Sequence, residues 1–404
     1  MAGMTRFERA ALLLIAFLAA LAGVANYQAW AAVPRFAVAT LALAGLAWVV
    51  SFATEQLGER FGPAITGMLQ STLGNLPELF VVIFALRKGE LVVAQTAIIG
   101  SIFANALLVL GLVIVIGARR SRDGVMRFSH RLPSDTATLL LVAVFIIVLL
   151  GLSLGSHDPA SHHVKQISIV GAVCLLVVYF AWVIPYLRAD KRPDAPGGAG
   201  EPSAVASPAA GGVLATGGAP AVGGALAVGV APAAGETPAA GDVSGTGEHP
   251  GPRLSLPFTL VLLGVAGVSS AFVSDWFVNG LSPAIEVLNL SQAFAGLVIV
   301  AIAGNAVENV AGMVLAWKGR SDLAISVVKN SVAQIAAMLY PLLVLISLLL
   351  ATTLTFALAP VYVGALALTA VVVWQVTGDG EAMMFEGLAL VALYVILATL
   401  TLYE

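Results

Sequence analysis

Long apolar runs constrain this chain more than any other feature of its sequence. The run LVVAQTAIIGSIFANALLVLGLVIVIG at 91–117 contains no charged residue, and a helix needs roughly 20 apolar residues to cross a bilayer. Of the 404 residues, 59% are hydrophobic and 10% are charged, against roughly 25% charged in soluble domains. The sequence therefore predicts an all-α polytopic membrane protein whose main partner is the lipid bilayer.

Eleven apolar runs of this kind follow one another, so we expect about eleven transmembrane helices. The first run could instead be a signal peptide, since Arg6 and Arg9 precede it and the small-residue sequence AWAA ends it at 29–32. The predicted spans are 10–32, 34–57, 62–86, 91–117, 134–156, 165–187, 255–278, 292–317, 322–349, 354–376 and 382–403.

The distribution of Lys and Arg between the loops predicts the orientation. With a cytoplasmic N-terminus, the cytoplasmic loops hold fourteen of these residues and the outer loops hold four. Cytoplasmic loops of membrane proteins are enriched in both residue types. We therefore expect the N-terminus in the cytoplasm, the C-terminus outside, and the bacterial inner membrane as the location.

The composition changes between residues 188 and 254. Stretches such as GEPSAVASPAAGGVLATGGAPAVGG contain few large side chains and cannot bury enough apolar area to offset the entropy of ordering. The predicted organisation is an N-terminal helix (1–33), a five-helix unit (34–187), a disordered cytoplasmic linker (188–254) and a second five-helix unit (255–404).

The two units share a motif at a constant offset of 230 residues, without a gap over roughly thirty positions. Because each unit has an odd number of spans, the two copies must cross the membrane in opposite directions. Inverted repeats of this kind place a substrate site near the bilayer midplane, on interrupted helices. The matching pairs are Gly74 and Gly304, Asn75 and Asn305, Glu78 and Glu308, Lys88 and Lys318, Gly89 and Gly319, and Ser101 and Ser331.

Glu78 and Glu308 are the acids at the centre of these motifs. An ionised carboxylate inside a membrane costs several kcal/mol unless it is protonated or lies beside a cation. A site that alternates between a proton and a cation is the core of a proton-coupled antiporter. The alternative is a structural polar contact between helices, which the matching of two such acids disfavours.

Amide and backbone oxygens are predicted to surround these acids. Asn75 and Asn305 each precede a Glu by three residues, which places both side chains on one face of a continuous helix. Gly74 and Gly304 loosen the helix and free backbone carbonyls. Oxygen ligands suit a hard cation, and Ca²⁺ takes roughly six to eight of them.

Other polar residues are weaker candidates. Ser101 and Ser331 are either ligands or small packing residues. Asn105 and Gln334 lie within one turn of those serines, and structural hydrogen bonding is the safer interpretation for them.

Three charged residues are candidates for access or modulation of the site. Glu55 and Asp275 lie near span ends before each motif, at unequal spacings. Lys329, two residues before Ser331, either snorkels away from the membrane interior or faces the site. If it faces the site, two Glu and one Lys carry a net charge of −1, which suits a monovalent cation.

These motifs resemble the two signature repeats of the cation/proton exchangers, the Ca²⁺/H⁺ branch of the calcium/cation antiporter superfamily. The first is GNLPELFVVIFALRKGELVVAQTAIIGSIFANALLVLG at 74–111 and the second is GNAVENVAGMVLAWKGRSDLAISVVKNSVAQIA at 304–336. The sequence GDGEAMMFEG at 378–387 is similar to the family's final acidic loop.

The resemblance implies Glu78 and Glu308 as shared cation and proton ligands beside Asn75 and Asn305, with Glu55 and Asp275 along the access paths. Two positions depart from the family pattern: Asn309 stands where a His is frequent, and Lys329-Asn330 replaces small and apolar residues.

We therefore expect a secondary antiporter that exchanges Ca²⁺ for H⁺ by alternating access. The alternative on the same fold exchanges Na⁺ or K⁺ for H⁺, and a cation channel is disfavoured by the inverted repeat. The expected ligands are the transported cations and protons, with no cofactor, no nucleic acid and no enzymatic motif. The sequence leaves open whether copies of this chain form a homo-oligomer.

Overall fold

The computed structural model describes residues 4–58, 60, 73–129, 131–189 and 253–404. Glu55 and Glu308 fall in described helices, but their side chains are outside the described part. The helices are α1 Arg6–Tyr27, α2 Ala32–Gly58, α3 Leu76–Arg87, α4 Leu91–Arg120, α5 Arg131–Ser156, α6 Val164–Ala189, α7 Leu256–Leu288, α8 Gln292–Gly304, α9 Ala306–Trp317, α10 Ser321–Ser347, α11 Pro360–Thr377 and α12 Met384–Leu402.

Nine helices in the described ranges are long and apolar enough to cross a membrane, and there are ten if the bent pair of α8 and α9 counts as one span. This confirms the predicted all-α polytopic class. The short helix α3 follows residues 61–72, which are outside the described ranges, so the count of eleven stays a prediction. Most of the predicted linker, 188–254, is also outside them.

Several predicted boundaries were wrong. Helix α7 continues to Leu288, ten residues beyond the predicted end at 278, because polar residues such as Asn279 and Ser282 bond to neighbouring chain segments. Helix α11 begins at Pro360 and not at 354. The segment before it is an irregular loop whose backbone bonds to Ser347 and Ser168.

The loops between the helices lie at two opposite ends of the bundle. We call the end that holds Arg60, Arg120, Arg127 and Arg253 the basic end. There the backbone N–H of Arg253 donates to Gln56 Oε1 at 3.2 Å. Helix α7 starts at this end and reaches the opposite end, where Lys88, in the α3–α4 turn, donates to Asn279. These contacts agree with the alternating directions that the sequence predicts.

The 230-residue repeat is visible in the backbone. Helix α3 spans 76–87 and α9 spans 306–317, so both bounds differ by 230. The turns that follow contain Gly89 and Gly319, with φ of 79° and 75°, a conformation that glycine adopts without strain. The α3–α4 turn lies at the opposite end and the α9–α10 turn at the basic end, as an inverted repeat requires.

Further along each copy, the helix widens into a short π-helical segment, at Ala104–Val109 in α4 and Ile335–Leu339 in α10. Segments of this kind frequently mark functional sites in helices. A third, Ala295–Val300, lies in α8. No pattern in the sequence predicted these segments.

Glycines let α4 and α8 cross in close contact at the centre of the bundle. A Cβ on Gly100 would lie 2.5 Å from the backbone of Leu297, and one on Gly296 would overlap Thr96 Oγ1. Small residues allow such approach between membrane helices. The crossing fixes the position of α4 relative to the break that ends α8.

A two-stranded antiparallel sheet lies at the basic end. Strand β1 (Val125–Arg127) follows α4, and strand β2 (Glu381–Met383) precedes α12. In their register Met126 pairs with Ala382. The sheet therefore joins a loop of the first repeat to a loop of the second.

Candidate functional site

The first half of the site is the start of helix α3. Asn75 is the N-cap, with φ −83° and ψ 4°, and Pro77 lies in the first turn, where it removes no intrahelical hydrogen bond. Glu78 follows with 1% of its surface exposed. An acid in the first turn also lies near the positive end of the helix dipole.

The second half is the break between α8 and α9. Asn305 separates the two helices, with φ −103° and ψ 12°, and their axes differ by 57°. Both Asn residues are N-caps at a helix break and not interior helix positions, so the prediction that each shares a helical face with its Glu stays a prediction. The predicted interruption next to Gly74 and Gly304 agrees with the structure.

The two breaks meet at Glu78 and Gly304. A Cβ on Gly304 would lie 3.7 Å from Glu78 Cβ. The acid of the first copy therefore lies next to Gly304, the residue before the interruption of the second copy. Gly74, Asn75, Gly304 and Asn305 are all buried around it.

Two hydrogen bonds cross from one repeat to the other. Asn305 Nδ2 donates to Ser101 Oγ at 2.8 Å, and Asn105 Nδ2 donates to Ser331 Oγ at 3.1 Å. Each of these four residues is at most 2% exposed. The sequence left the two serines as either ligands or packing residues. In the structure, each serine hydroxyl accepts a hydrogen bond from an Asn of the other repeat.

The orientation of the Asn305 amide follows from a second bond. Its Nδ2 also donates to the carbonyl of Ala301 at 3.0 Å, and a carbonyl only accepts. The amide oxygen therefore points away from both partners. Three buried amide oxygens accept no hydrogen bond from the described residues, and they belong to Asn305, Asn309 and Gln334.

These amide oxygens and the carboxylate oxygens of Glu78 are all buried, and oxygen atoms are the ligands that hard cations prefer. Asn309 is 7% exposed and Gln334 4%. The sequence predicts structural hydrogen bonding for Gln334, but its amide oxygen accepts no hydrogen bond from the described residues. Asn309, one turn after Asn305, was not predicted as a site residue, and its adjacency to Glu308 was the available signal.

Lys329 is 5% exposed and its Nζ donates to Thr377 Oγ1 at 2.6 Å. Its side chain lines a small cavity with Leu140 and Val373. Its ammonium group is buried and bonds toward the basic end of the bundle, so whether Lys329 acts on the site stays a prediction. Thr377 is the last residue of α11, so Lys329 connects α10 to the basic end of α11.

Asp275 lies apart from the buried set, on α7. It is half-buried, accepts from Asn279 Nδ2 at 3.2 Å, and lines a cleft of about 970 Å³ between α3 and α7. Leu76, two residues before Glu78, lines the same cleft. The predicted access residue of the second copy thus shares a cleft with the start of α3, whereas Glu55 has no described side chain.

A polar network lies at the end of the bundle opposite the basic end, and it was not predicted from the sequence. Ser282 Oγ donates to Glu90 Oε1 at 2.6 Å, beside the contact of Lys88 with Asn279. Burial lowers the pKa of Lys88, and the charges of Asp275 and Glu90 oppose that shift. The network ties the α3–α4 turn to α7. The charges at these span ends were visible, but their pairing across about 190 residues was not.

Comparisons with known proteins agree with this architecture. A family model described as "Sodium/calcium exchanger protein" matches residues 31–185 and 258–403. The vacuolar calcium ion transporter of Schizosaccharomyces pombe is 28% identical over 387 residues, covering 94% of this chain and 82% of that protein.

A Ca²⁺/H⁺ antiporter of Aphanothece halophytica is 25% identical over 368 residues, covering 91% of this chain and 90% of that protein. Among solved structures, the Ca²⁺/H⁺ antiporter protein YfkE matches with a TM-score of 0.71 and 22% identity, over 98% of this chain and 100% of that one. This structural likeness shows a shared fold.

Proposed function

The chain belongs to the sodium/calcium exchanger family, and on that premise we propose that it is a secondary transporter that exchanges Ca²⁺ for H⁺ across a membrane. The relatives named for Ca²⁺ transport or Ca²⁺/H⁺ antiport support the choice of substrate. The proposed location is the bacterial plasma membrane, with the N-terminus in the cytoplasm.

The observation that carries the proposal is the burial of Glu78 against Gly304, where the two helix breaks meet. A carboxylate buried in this way is stable when protonated or when a cation lies beside it. Cation and protons therefore compete for one group, and competition for one group couples their movements in opposite directions.

Glu308 is the second acid of the proposal, by its equivalence to Glu78 across the repeat. Two carboxylates neutralise one Ca²⁺, and they hold two protons when the cation leaves. The amide oxygens of Asn305, Asn309 and Gln334 would add neutral ligands, since Ca²⁺ takes roughly six to eight oxygens.

Alternating access is the proposed transport cycle. The interrupted helices belong to two repeats of opposite direction, and in transporters of this type one repeat rocks against the other around a central site. Cross-repeat hydrogen bonds such as Asn305–Ser101 lie at the surface that would rearrange.

One observation favours the second candidate, exchange of Na⁺ or K⁺ for H⁺. Lys329 is buried two residues before Ser331, with its Nζ bonded to Thr377 at the basic end of α11. An ammonium that acts on the site would reduce the net charge of the site from −2 to −1. That charge matches a monovalent cation better than Ca²⁺.

The test is transport in proteoliposomes with an imposed pH gradient and an internal pH dye. Ca²⁺, Na⁺ and K⁺ are added in turn, with empty liposomes and Glu78→Gln protein as controls. We expect Ca²⁺ to move protons in wild type and in neither control. Proton movement with Na⁺ or K⁺ and none with Ca²⁺ would replace the first candidate with the second, and none with any cation would reject antiport.

A further inference from the structure

Two buried serines lie on α7, beside the start of α3. Ser270 and Ser274 are both 0% exposed, and since they are one helical turn apart, their side chains share a face of α7. Ser274 Oγ donates to the carbonyl of Pro77, in the first turn of α3, at 3.4 Å. The pair therefore adjoins the turn that carries Glu78, one residue after Pro77.

The hydroxyl of Ser270 differs from several other buried hydroxyls in this bundle. Those of Thr54, Thr259 and Thr377 each donate to the carbonyl four residues earlier in their own helix, at 2.8, 3.1 and 2.7 Å. Ser270 makes no such bond, and its Oγ has no hydrogen-bond partner among the described residues. A buried polar group costs free energy unless it gains a partner. This hydroxyl is therefore available to a partner that arrives and leaves during transport.

The level of Ser270 in the bundle matches the break at which α3 begins. Helices α3 and α7 both run toward the end opposite the basic end, and Ser270 precedes Ser274 by about 6 Å along the helix axis. Ser270 is therefore level with the residues just before Pro77. Helical side chains lean toward the N-terminus of their helix, so the carboxylate of Glu78 extends toward the same level. The Ser270 hydroxyl and this carboxylate thus lie at one depth, on neighbouring helices.

A hydroxyl can pass on a proton, whereas an amide oxygen only accepts hydrogen bonds. A hydroxyl accepts one hydrogen bond and donates another, so it can take up one proton as it releases a second. One helical turn is about 5.4 Å, a distance that two hydrogen bonds of about 2.8 Å cover through one water. Asp275, the residue after Ser274, lines the cleft that reaches Leu76. Ser274 therefore connects a carboxylate in that cleft with the first turn of α3.

We propose that Ser270 and Ser274 are part of the proton path to Glu78, whereas the buried amide oxygens of the site serve the cation. A proton from the cleft passes along the two hydroxyls and a water between them. Each oxygen accepts one proton as it releases another, and Glu78 takes up the proton as the cation leaves. The reverse order applies when the cation binds. This inference rests on the proposed exchange of Ca²⁺ for H⁺.

The test separates proton-coupled transport from transport of the cation alone, in proteoliposomes of the full-length protein. An imposed pH gradient measures Ca²⁺/H⁺ exchange. Radiolabelled Ca²⁺ on one side and unlabelled Ca²⁺ on the other, at equal pH, measure Ca²⁺ self-exchange. We expect Ser270→Ala to slow Ca²⁺/H⁺ exchange about fivefold, the factor that corresponds to one lost hydrogen bond, and to leave self-exchange unchanged. Ser274→Ala should show the same separation of the two rates.

The matched control is Ser269→Ala. Ser269 is the residue before Ser270, lines a groove beside α1, and should change neither rate when it is replaced. Self-exchange in the same vesicles shows that each variant is folded. An equal loss of both rates in Ser270→Ala, or no loss of either, would overturn the proton path. Wild type that exchanges no Ca²⁺ for protons would reject the proposed function itself, and the proton path with it.

Discussion

Asn305, at the break of the second repeat, donates a 2.8 Å hydrogen bond to Ser101 of the first repeat. A neutral hydrogen bond contributes about 1 kcal/mol. If this one holds the transport-competent arrangement, Asn305→Ala and Ser101→Ala should each slow exchange, and a double-mutant cycle on initial rates should give a coupling of about that size. Ser101→Ala with Thr399→Ala, on the exposed face of α12, should be additive. A coupling near zero for the first pair would remove it from the mechanism.

Glu78→Gln and Glu308→Gln should each reduce proton-coupled uptake to below about a tenth of wild type, since a tenfold loss corresponds to about 1.4 kcal/mol. Gln keeps the size of Glu but neither ionises nor carries the proton. The matched control is Glu381→Gln, whose side chain is 54% exposed in β2 and whose loss should cost less than about 1 kcal/mol. Substantial exchange by either site variant, with normal membrane insertion, would reject the two-carboxylate site.

Gly100→Ala should destabilise the protein by about 1–3 kcal/mol, as overpacking does, because its Cβ would lie 2.5 Å from the Leu297 backbone. Gly364→Ala on α11 has no atom within 4 Å of its added Cβ and should be neutral or slightly stabilising. Thermal unfolding in detergent measures both. Equal midpoints for the two variants would show that the α4–α8 crossing relaxes freely.

Lys329→Leu should raise Ca²⁺-coupled proton movement and reduce that of Na⁺ or K⁺, because it removes a positive charge near the site. Thr377 would keep a partner, since its hydroxyl donates to the Val373 carbonyl at 2.7 Å. Lys318→Leu, in the exposed α9–α10 turn, is the matched control. Unchanged ion selectivity and pH dependence in Lys329→Leu would make Lys329 structural.

Single cysteines in a Cys174→Ser background test the orientation. Positions 125 and 383 are paired across the sheet and should both react with a membrane-impermeant thiol reagent only from the cytoplasmic side. Position 160, in the exposed α5–α6 loop, should react from outside. Labelling of 125 from outside would invert the topology, and opposite labelling of 125 and 383 would contradict the sheet.

The positions of the matching residues in the two repeats were predictable from the sequence, whereas the backbone conformation at Asn75 and Asn305 was not. The offset of 230 anticipates that α3 and α9 have equal bounds, because local sequence determines where a helix begins and turns. The interruption at Asn75 and Asn305 breaks the assumption of a continuous helix, on which the three-residue spacing rule depends.

Side-chain contacts between residues far apart in the chain could not be predicted from the sequence either. Lys329 and Thr377 are 48 residues apart, and Asn305 and Ser101 are 204 apart. The apolar pattern shows that a residue lies in a span but not which neighbour it faces. The partner of Lys329, Thr377, was therefore not predictable from the sequence.

The pairing of β1 with β2 has a mechanical consequence. It ties the α4–α5 loop to the α11–α12 loop, where Phe128 N–H also donates to the Gly380 carbonyl at 2.9 Å. Next to this sheet α4 packs on α12, where a Cβ on Gly111 would lie 2.6 Å from the Gly387 carbonyl oxygen. Helix α5 packs on α11. These contacts hold α4, α5, α11 and α12 together as one unit, so we expect the distances between these four helices to stay constant during a transport cycle.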